Sequence, residues 1–422
     1  MLRRFLHSRS VGRPQFAAAA LLLVYLLQCL WLVRLGSRDI ESGDSARGFS
    51  QARRVFQGLE QWRGGPIAGT PGSAKNENLP PAQFPRVEER LRIDDAFDRD
   101  RSPLYYLIVA APLAPYPSLF TQAHPLWRWL AATPYLFFGV MLGGSLWYVS
   151  RRLYGDAGGY IALALYCFSP AMIFNAGDIS SFAEMGAVWG AFGAVWTAIA
   201  VAHTLYAPRE VVLWNWRRTL LLGLSFALAV GNQFSLALLA LVALGFMLWV
   251  APVRKRAVAA IWGAACAFAL LLIFASYFFH PLLFWQGMTH GGWLPFEPRA
   301  LAMPFSYPHG LREIFLGSPP LLLALPVALA AYLAWKRARY FGNTAPLGIA
   351  LLLFILATAA APQFPGYGFH LAALVFLFVF VAGVFADLLE TRADSFVRAG
   401  LFGLLIASAA WNLLQLVRLA RG

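Results

Sequence analysis

The sequence is short of charge. Charged residues make up 13% of it and hydrophobic residues 59%, against the roughly 25% charged residues typical of soluble domains. A water-facing surface for 422 residues cannot be assembled from so few charges, which excludes a string of soluble domains. Cysteine is also scarce. Cys29, Cys167 and Cys266 lie far apart in apolar runs, with no metal-ligand spacing and no disulfide framework, so they read as buried thiols. Acidic residues number 20 against 34 basic ones. The resulting net charge of +14 does not point to nucleic acid, because most of the arginines sit in short runs between apolar segments, the distribution that orients membrane spans. There is no P-loop, dinucleotide fingerprint, HExxH or CxxC, which leaves nucleotide-sugar chemistry on the cytoplasmic side without support.

What is present is apolar and aromatic. The mean hydropathy is +0.60, and aromatic residues reach 15%, with 15 Trp suited to membrane interfaces. The chain therefore reads as an all-α polytopic membrane protein. A basic tail carrying Arg3, Arg4, Arg9 and Arg13 precedes the apolar run Phe16–Val33, which reads as an uncleaved first span with a cytoplasmic N-terminus. Further runs cover 128–150, 159–175, 183–205, 219–231, 234–251, 257–280, 318–335, 346–361, 367–389 and 397–417. The longer ones match a hydrocarbon core about 30 Å thick.

Charge decides the ambiguous segments. Were 219–251 one helix, Arg254-Lys255-Arg256 would face outward, so the break at Gly231-Asn232-Gln233 is read as the join of two short helices. The segment Pro103–Phe120 carries four prolines and is laid on the outer surface as an interfacial helix. This gives about eleven transmembrane helices with the C-terminus outside. Two long outer segments remain, Gly36–Ser102 within an outer loop 36–127, and Pro281–Gly317. Eleven of the 20 acids fall between Ser37 and Asp100. Gly139-x-x-x-Gly143 and Gly186-x-x-x-Gly190 predict close helix packing.

Four ordered segments carry a resemblance. They are Gly43-Asp44-Ser45-Ala46-Arg47 after the first span, Arg101-Ser102-Pro103-Leu104-Tyr105-Tyr106-Leu107, Ser150-Arg151-Arg152-Leu153-Tyr154-Gly155, and Trp216-Arg217 followed by Asn232-Gln233-Phe234-Ser235. In this order they resemble the GT-C membrane glycosyltransferases, which include protein O-mannosyltransferases, aminoarabinose transferases and bacterial PMT/RgtA-like proteins. The resemblance spans residues 16–285 and divides the chain into a GT-C-like module, 1–285, and a remainder, 286–422. It implies inverting transfer of a hexosyl or pentosyl group from a polyprenyl-phosphate donor to a glycan, lipid or protein acceptor. The bacterial inner (cell) membrane is the implied location, with the active face extracytoplasmic.

Candidate residues follow from that chemistry. Asp44 is the expected general base, deprotonating the acceptor while the lipid phosphate leaves; the competing role is a helix cap. Asp178, in the polar segment after the third apolar run, is expected to orient an acceptor or sugar hydroxyl, or else to cap the next helix. Glu184 reads as a buried partner. Asp94, Asp95, Asp98 and Asp100 form a cluster for acceptor binding, for a divalent metal, or simply for a solvated loop. No cofactor is otherwise indicated, a divalent metal at this cluster being the one candidate. Arg299 or Arg312, with His290 and His309 beside them, are expected at the donor phosphate, because a guanidinium donates paired hydrogen bonds to an anion. Tyr105 belongs to the juxtamembrane motif and is expected at the substrate. His280 and His370 read as membrane-edge caps. Two alternatives stay open: a transporter or flippase, and an inactive GT-C-like lipid-binding scaffold, the latter because Asp44 lacks the second acid common in the family.

Overall fold

The computed structural model describes residues 14–35, 101–113, 126–177, 185–206, 216–293, 297–304, 306–334, 340–360, 369–391 and 395–421. Among the described residues the chain is helical, with no strand. The helices are α1 (Pro14–Leu35), α2 (Pro103–Ala110), α3 (Leu126–Cys167), α4 (Pro170–Gly177), α5 (Met185–Thr204), α6 (Trp216–Asn232) and α7 (Leu238–Val250). They continue with α8 (Lys255–Ser276), α9 (Pro281–His290), α10 (Ser306–Gly317), α11 (Leu321–Ala334), α12 (Tyr340–Ala359), α13 (Phe369–Thr391) and α14 (Ser395–Arg421). Proline at the first position starts α2 and α9, where its missing N–H costs nothing.

Among the described residues five helical segments are long and apolar enough to cross a membrane: Pro14–Leu35, Met185–Thr204, Pro252–Ser276, Phe369–Glu390 and Arg398–Arg418. Two bent pairs raise this to seven if each pair is one span. Phe234–Val250 and Asn343–Ala359 are shorter apolar helices.

The structure redraws several of the expected runs. Runs 128–150 and 159–175 fall on either side of Gly155, where the two helical stretches of α3 meet at a kink whose φ of 76° and ψ of −172° suit glycine alone. The second run then breaks before Pro170, and Ala132–Cys167 meets Pro170–Gly177 at 59°. The break at Gly231–Gln233 does part α6 from α7, through a 3-10 turn at Phe234–Ala237. Of the expected interfacial helix Pro103–Phe120, the helix proper ends at Ala110 and a 3-10 turn follows to Leu113; 114–120 lie outside the described residues. Where described, the segment Pro281–Gly317, expected on the outer side, is largely helical: α9, a 3-10 turn at Pro298–Ala302, and α10.

The chain divides into two compact units. One draws on 1–40, 132–196 and 295–422, the other on 41–131 and 197–294. In the first, α13 packs against α10, α11, α12 and α14, and α1 packs against α4 and α14. The apolar window of α13 is 89% buried, and Phe192 of α5 meets Phe376 of α13 with ring centroids 5.5 Å apart. That of α14 is only 17% buried and shows Phe402, Ile406 and Leu413 to the outside. An apolar face this long is compatible with lipid rather than water. The Gly139/Gly143 pair does serve close packing: a Cβ on Gly143 would lie 2.8 Å from Leu22 Cδ2 of α1.

The kinked region obeys the rule that backbone polar groups in an apolar setting need partners. Pro170 cannot donate to Tyr166 O, which accepts from Ser169 N at 3.1 Å instead, and other carbonyls around the break and at the end of α10 take side-chain donors. Gln28 Nε2 donates to Cys167 O at 3.2 Å, Ser408 Oγ to Phe168 O at 3.5 Å, and Ser169 Oγ to Gly317 O at 2.7 Å. Asn412 Nδ2 in turn donates to Gln28 Oε1 at 2.5 Å. Nearby, the Tyr25 hydroxyl donates to Met172 O at 3.0 Å.

In the second unit, α8 carries α6, α7 and α2, and α2 also lies on α6. Between α8 and α9 the chain turns through Phe278 and Phe279, both at positive φ (55° and 58°). Left-handed backbone at bulky residues is strained by about 1–2 kcal/mol each. The turn is held by ring contacts of Phe274 with Phe279 and Phe284, centroids 5.4 and 5.1 Å apart.

Candidate functional site

Two groups of polar side chains stand out, one in each unit. The first forms where α2 meets the α6–α7 break. Ser102 caps α2, its Oγ accepting from Leu104 N at 3.3 Å. The same hydroxyl donates to Gly231 O at 2.8 Å, and Ser102 N donates to that carbonyl at 2.9 Å. Gly231 lies in the last turn of α6, where carbonyls have no helical partner, so Ser102 satisfies an orphan acceptor twice. Glycine is required here by space: a Cβ on Gly231 would come 2.8 Å from Leu104 Cδ2 and 3.2 Å from Ser102 Oγ.

This docking encloses charge. Arg101 is 8% exposed, and its guanidinium lies over the Tyr105 ring, 4.4 Å from the centroid. Asn232, Gln233 and Ser235 are buried on the other side of the Ser102–Gly231 contact in sequence. Gln233 Nε2 donates to Ser235 Oγ at 2.8 Å, while Asn232 Oδ1 and Gln233 Oε1 are buried without a hydrogen-bond donor. Phe234 is fully enclosed and stacks on Trp293, centroids 4.7 Å apart and planes 27° apart. Trp293 is fixed in turn by its Nε1, which donates to Met288 O at 2.7 Å.

The second group surrounds a cavity of about 500 Å³ between α4, α10, α13 and α14. Its polar lining is Asn175, Glu313, His370 and Gln415, with the Trp411 ring alongside. Phe174, Leu316, Leu371 and Leu374 form its apolar walls. Asn175 Nδ2 donates to Ala171 O at 2.8 Å, which leaves its Oδ1 as an acceptor. His370 begins α13, its Nε2 buried without a hydrogen-bond partner, and Glu313 and His309 are its charged and titratable neighbours.

The sequence-derived candidates distribute unevenly over these two places. Tyr105 is buried in the first. His309 and Arg312 are exposed on α10, and it is the next residue, Glu313, that lines the cavity. Arg299 is exposed on the 3-10 turn at Pro298–Ala302. His290 ends α9, with its side chain outside the described residues. Asp44, Asp94, Asp95, Asp98, Asp100, Asp178 and Glu184 also lie outside them, although Asn175 stands three positions before Asp178 in the chain. Among the described residues no group of three His, Cys, Asp or Glu side chains is placed to hold a metal ion. Gln415 and Trp411 were not singled out by sequence, and Arg101 entered only as part of the Pro-Leu-Tyr segment, without a role at the donor phosphate. The available signals were a lone arginine at the mouth of a Pro-Leu-Tyr helix, and amides at Asn412 and Gln415 one helical turn apart in an apolar run.

Comparison with protein-family models, with curated proteins and with solved structures finds no match to this chain.

Proposed function

We propose that this chain is an integral membrane glycosyltransferase that moves a sugar from a polyprenyl-phosphate donor to an extracytoplasmic acceptor. In this reading it has eleven spans, a cytoplasmic N-terminus and an active face outside the cell membrane. The observation that carries the proposal is the packing of Arg101–Tyr105 against Gly231–Ser235. Two of the four segments behind the GT-C resemblance meet there, around a buried guanidinium.

The chemistry asks little of the protein. Asp44 takes the proton from the acceptor hydroxyl, whose oxygen attacks the anomeric carbon. The bond from that carbon to the lipid phosphate oxygen breaks, and the phosphate departs with the electron pair, so no second acid is needed. Attack from the opposite face inverts the configuration. Arg101 is assigned to the departing phosphate in preference to the exposed Arg299 and Arg312, because a guanidinium shielded from water interacts more strongly with an anion.

The test is transfer by the purified protein in lipid nanodiscs supplied with polyprenyl-phosphate hexoses and pentoses. Wild type is expected to give covalent product, and Asp44→Asn to abolish it while retaining helical structure. Arg101→Gln is expected to raise the donor KM about tenfold. Full transfer by Asp44→Asn removes that residue from the mechanism. Sugar flux across sealed vesicles without product identifies a transporter, and donor binding without turnover identifies an inactive relative.

A further inference from the structure

We infer that the cavity between α4, α10, α13 and α14 is a binding site for a neutral, hydroxyl-rich headgroup of the sugar or polyol class. The inference concerns binding alone and does not rest on sugar transfer. At about 500 Å³ the cavity falls within the range of about 300–1,000 Å³ usual for small-molecule sites.

The lining selects by elimination. Among the described residues no lysine or arginine lines the cavity, and the one carboxylate there, Glu313, opposes an anion. A phosphate or carboxylate headgroup is therefore disfavoured. A cation is disfavoured too, because Glu313 is a single exposed carboxylate with Arg312 beside it in sequence and His309 one turn earlier on the same helix. A purely apolar tail would strip water from Asn175, Glu313, His370 and Gln415 without replacing its hydrogen bonds. Hydroxyl groups suit this wall. Glu313 and Asn175 Oδ1 accept hydrogen bonds, and the Gln415 amide both donates and accepts. Trp411, 45% exposed, adds an aromatic surface for the C–H face of a ring, and the leucines and Phe174 seat an attached chain.

Three simple amphiphiles with the same tail separate the classes: octyl β-D-glucoside, octyl phosphate and octyltrimethylammonium. Each is titrated, below its micelle-forming concentration, into the full-length protein in nanodiscs, with binding read by calorimetry and by ligand-observed saturation-transfer NMR. Octyl glucoside is expected to bind saturably and the other two to bind more weakly. Glu313→Leu and Gln415→Leu are each expected to weaken octyl glucoside about fivefold or more, the scale of one lost hydrogen bond. Both positions lie at the cavity edge on exposed or half-buried faces, so folding is retained and is checked by thermal unfolding. Arg256→Gln, on the exposed start of α8, is expected to leave binding unchanged. The inference is overturned by tighter binding of octyl phosphate or octyltrimethylammonium, by absence of saturable octyl glucoside binding, or by binding that neither lining variant alters.

Discussion

At the start of α2 the polar groups are closed in upon the protein, whereas around His370 they border open volume. Ser102 gives both its amide and its hydroxyl to one carbonyl, and Arg101 lies flat on Tyr105. In the other unit Glu313 and Gln415 stand at the edge of a cavity. The first arrangement fixes one helix on another and holds beside that contact the guanidinium proposed to meet the donor phosphate. The second leaves hydrogen-bonding capacity for a ligand. Residues of the first kind should therefore govern stability as well as any chemistry, and residues of the second kind binding alone.

Substitutions can break that contrast. The largest effect is expected at Gly231→Val, where the added side chain collides with Leu104 and Ser102. Thermal unfolding in nanodiscs should register a loss of about 3 kcal/mol, the upper range for overpacking. Gln28→Leu comes next. It deprives Cys167 O and the Asn412 amide of partners in an apolar setting, at about 1–2 kcal/mol. A double-mutant cycle with Asn412→Leu should give a coupling of about 0.6 kcal/mol, typical between helices in membranes. Ser102→Ala removes the α2 cap and one hydrogen bond to Gly231, for a loss of about 1 kcal/mol. The smallest effect belongs to Glu313→Leu, within about 0.5 kcal/mol, as for exposed positions generally. A Glu313 variant as damaging as the Gly231 variant would erase the distinction between the two regions.

Much of the architecture was legible because lipid imposes coarse rules. The helical class followed from hydropathy, and the Gly231–Gln233 break from polar residues between two apolar runs. The Gly139/Gly143 packing followed from small residues one turn apart. What could not be read was three-dimensional closure. Nothing in the local pattern announces that Ser102 will meet Gly231 across the intervening chain, or that Gln28 near one end will hold Asn412 near the other. The bend at Pro170 was missed because hydropathy averaged over the run 159–175 does not register a missing N–H. On α10, residue type drew the eye to Arg312 for an anion, whereas helical phase, which sequence alone does not show, sets Glu313 in the lining of the cavity.

The central claim is that anion recognition and hydroxyl recognition are housed in different units. It is tested most directly by titrating sugar-free polyprenyl phosphate into wild type, Arg101→Gln and Glu313→Leu in nanodiscs. The account predicts that Arg101→Gln weakens binding about tenfold and that Glu313→Leu leaves it unchanged. Equal loss in both variants, or loss in Glu313→Leu alone, would contradict it.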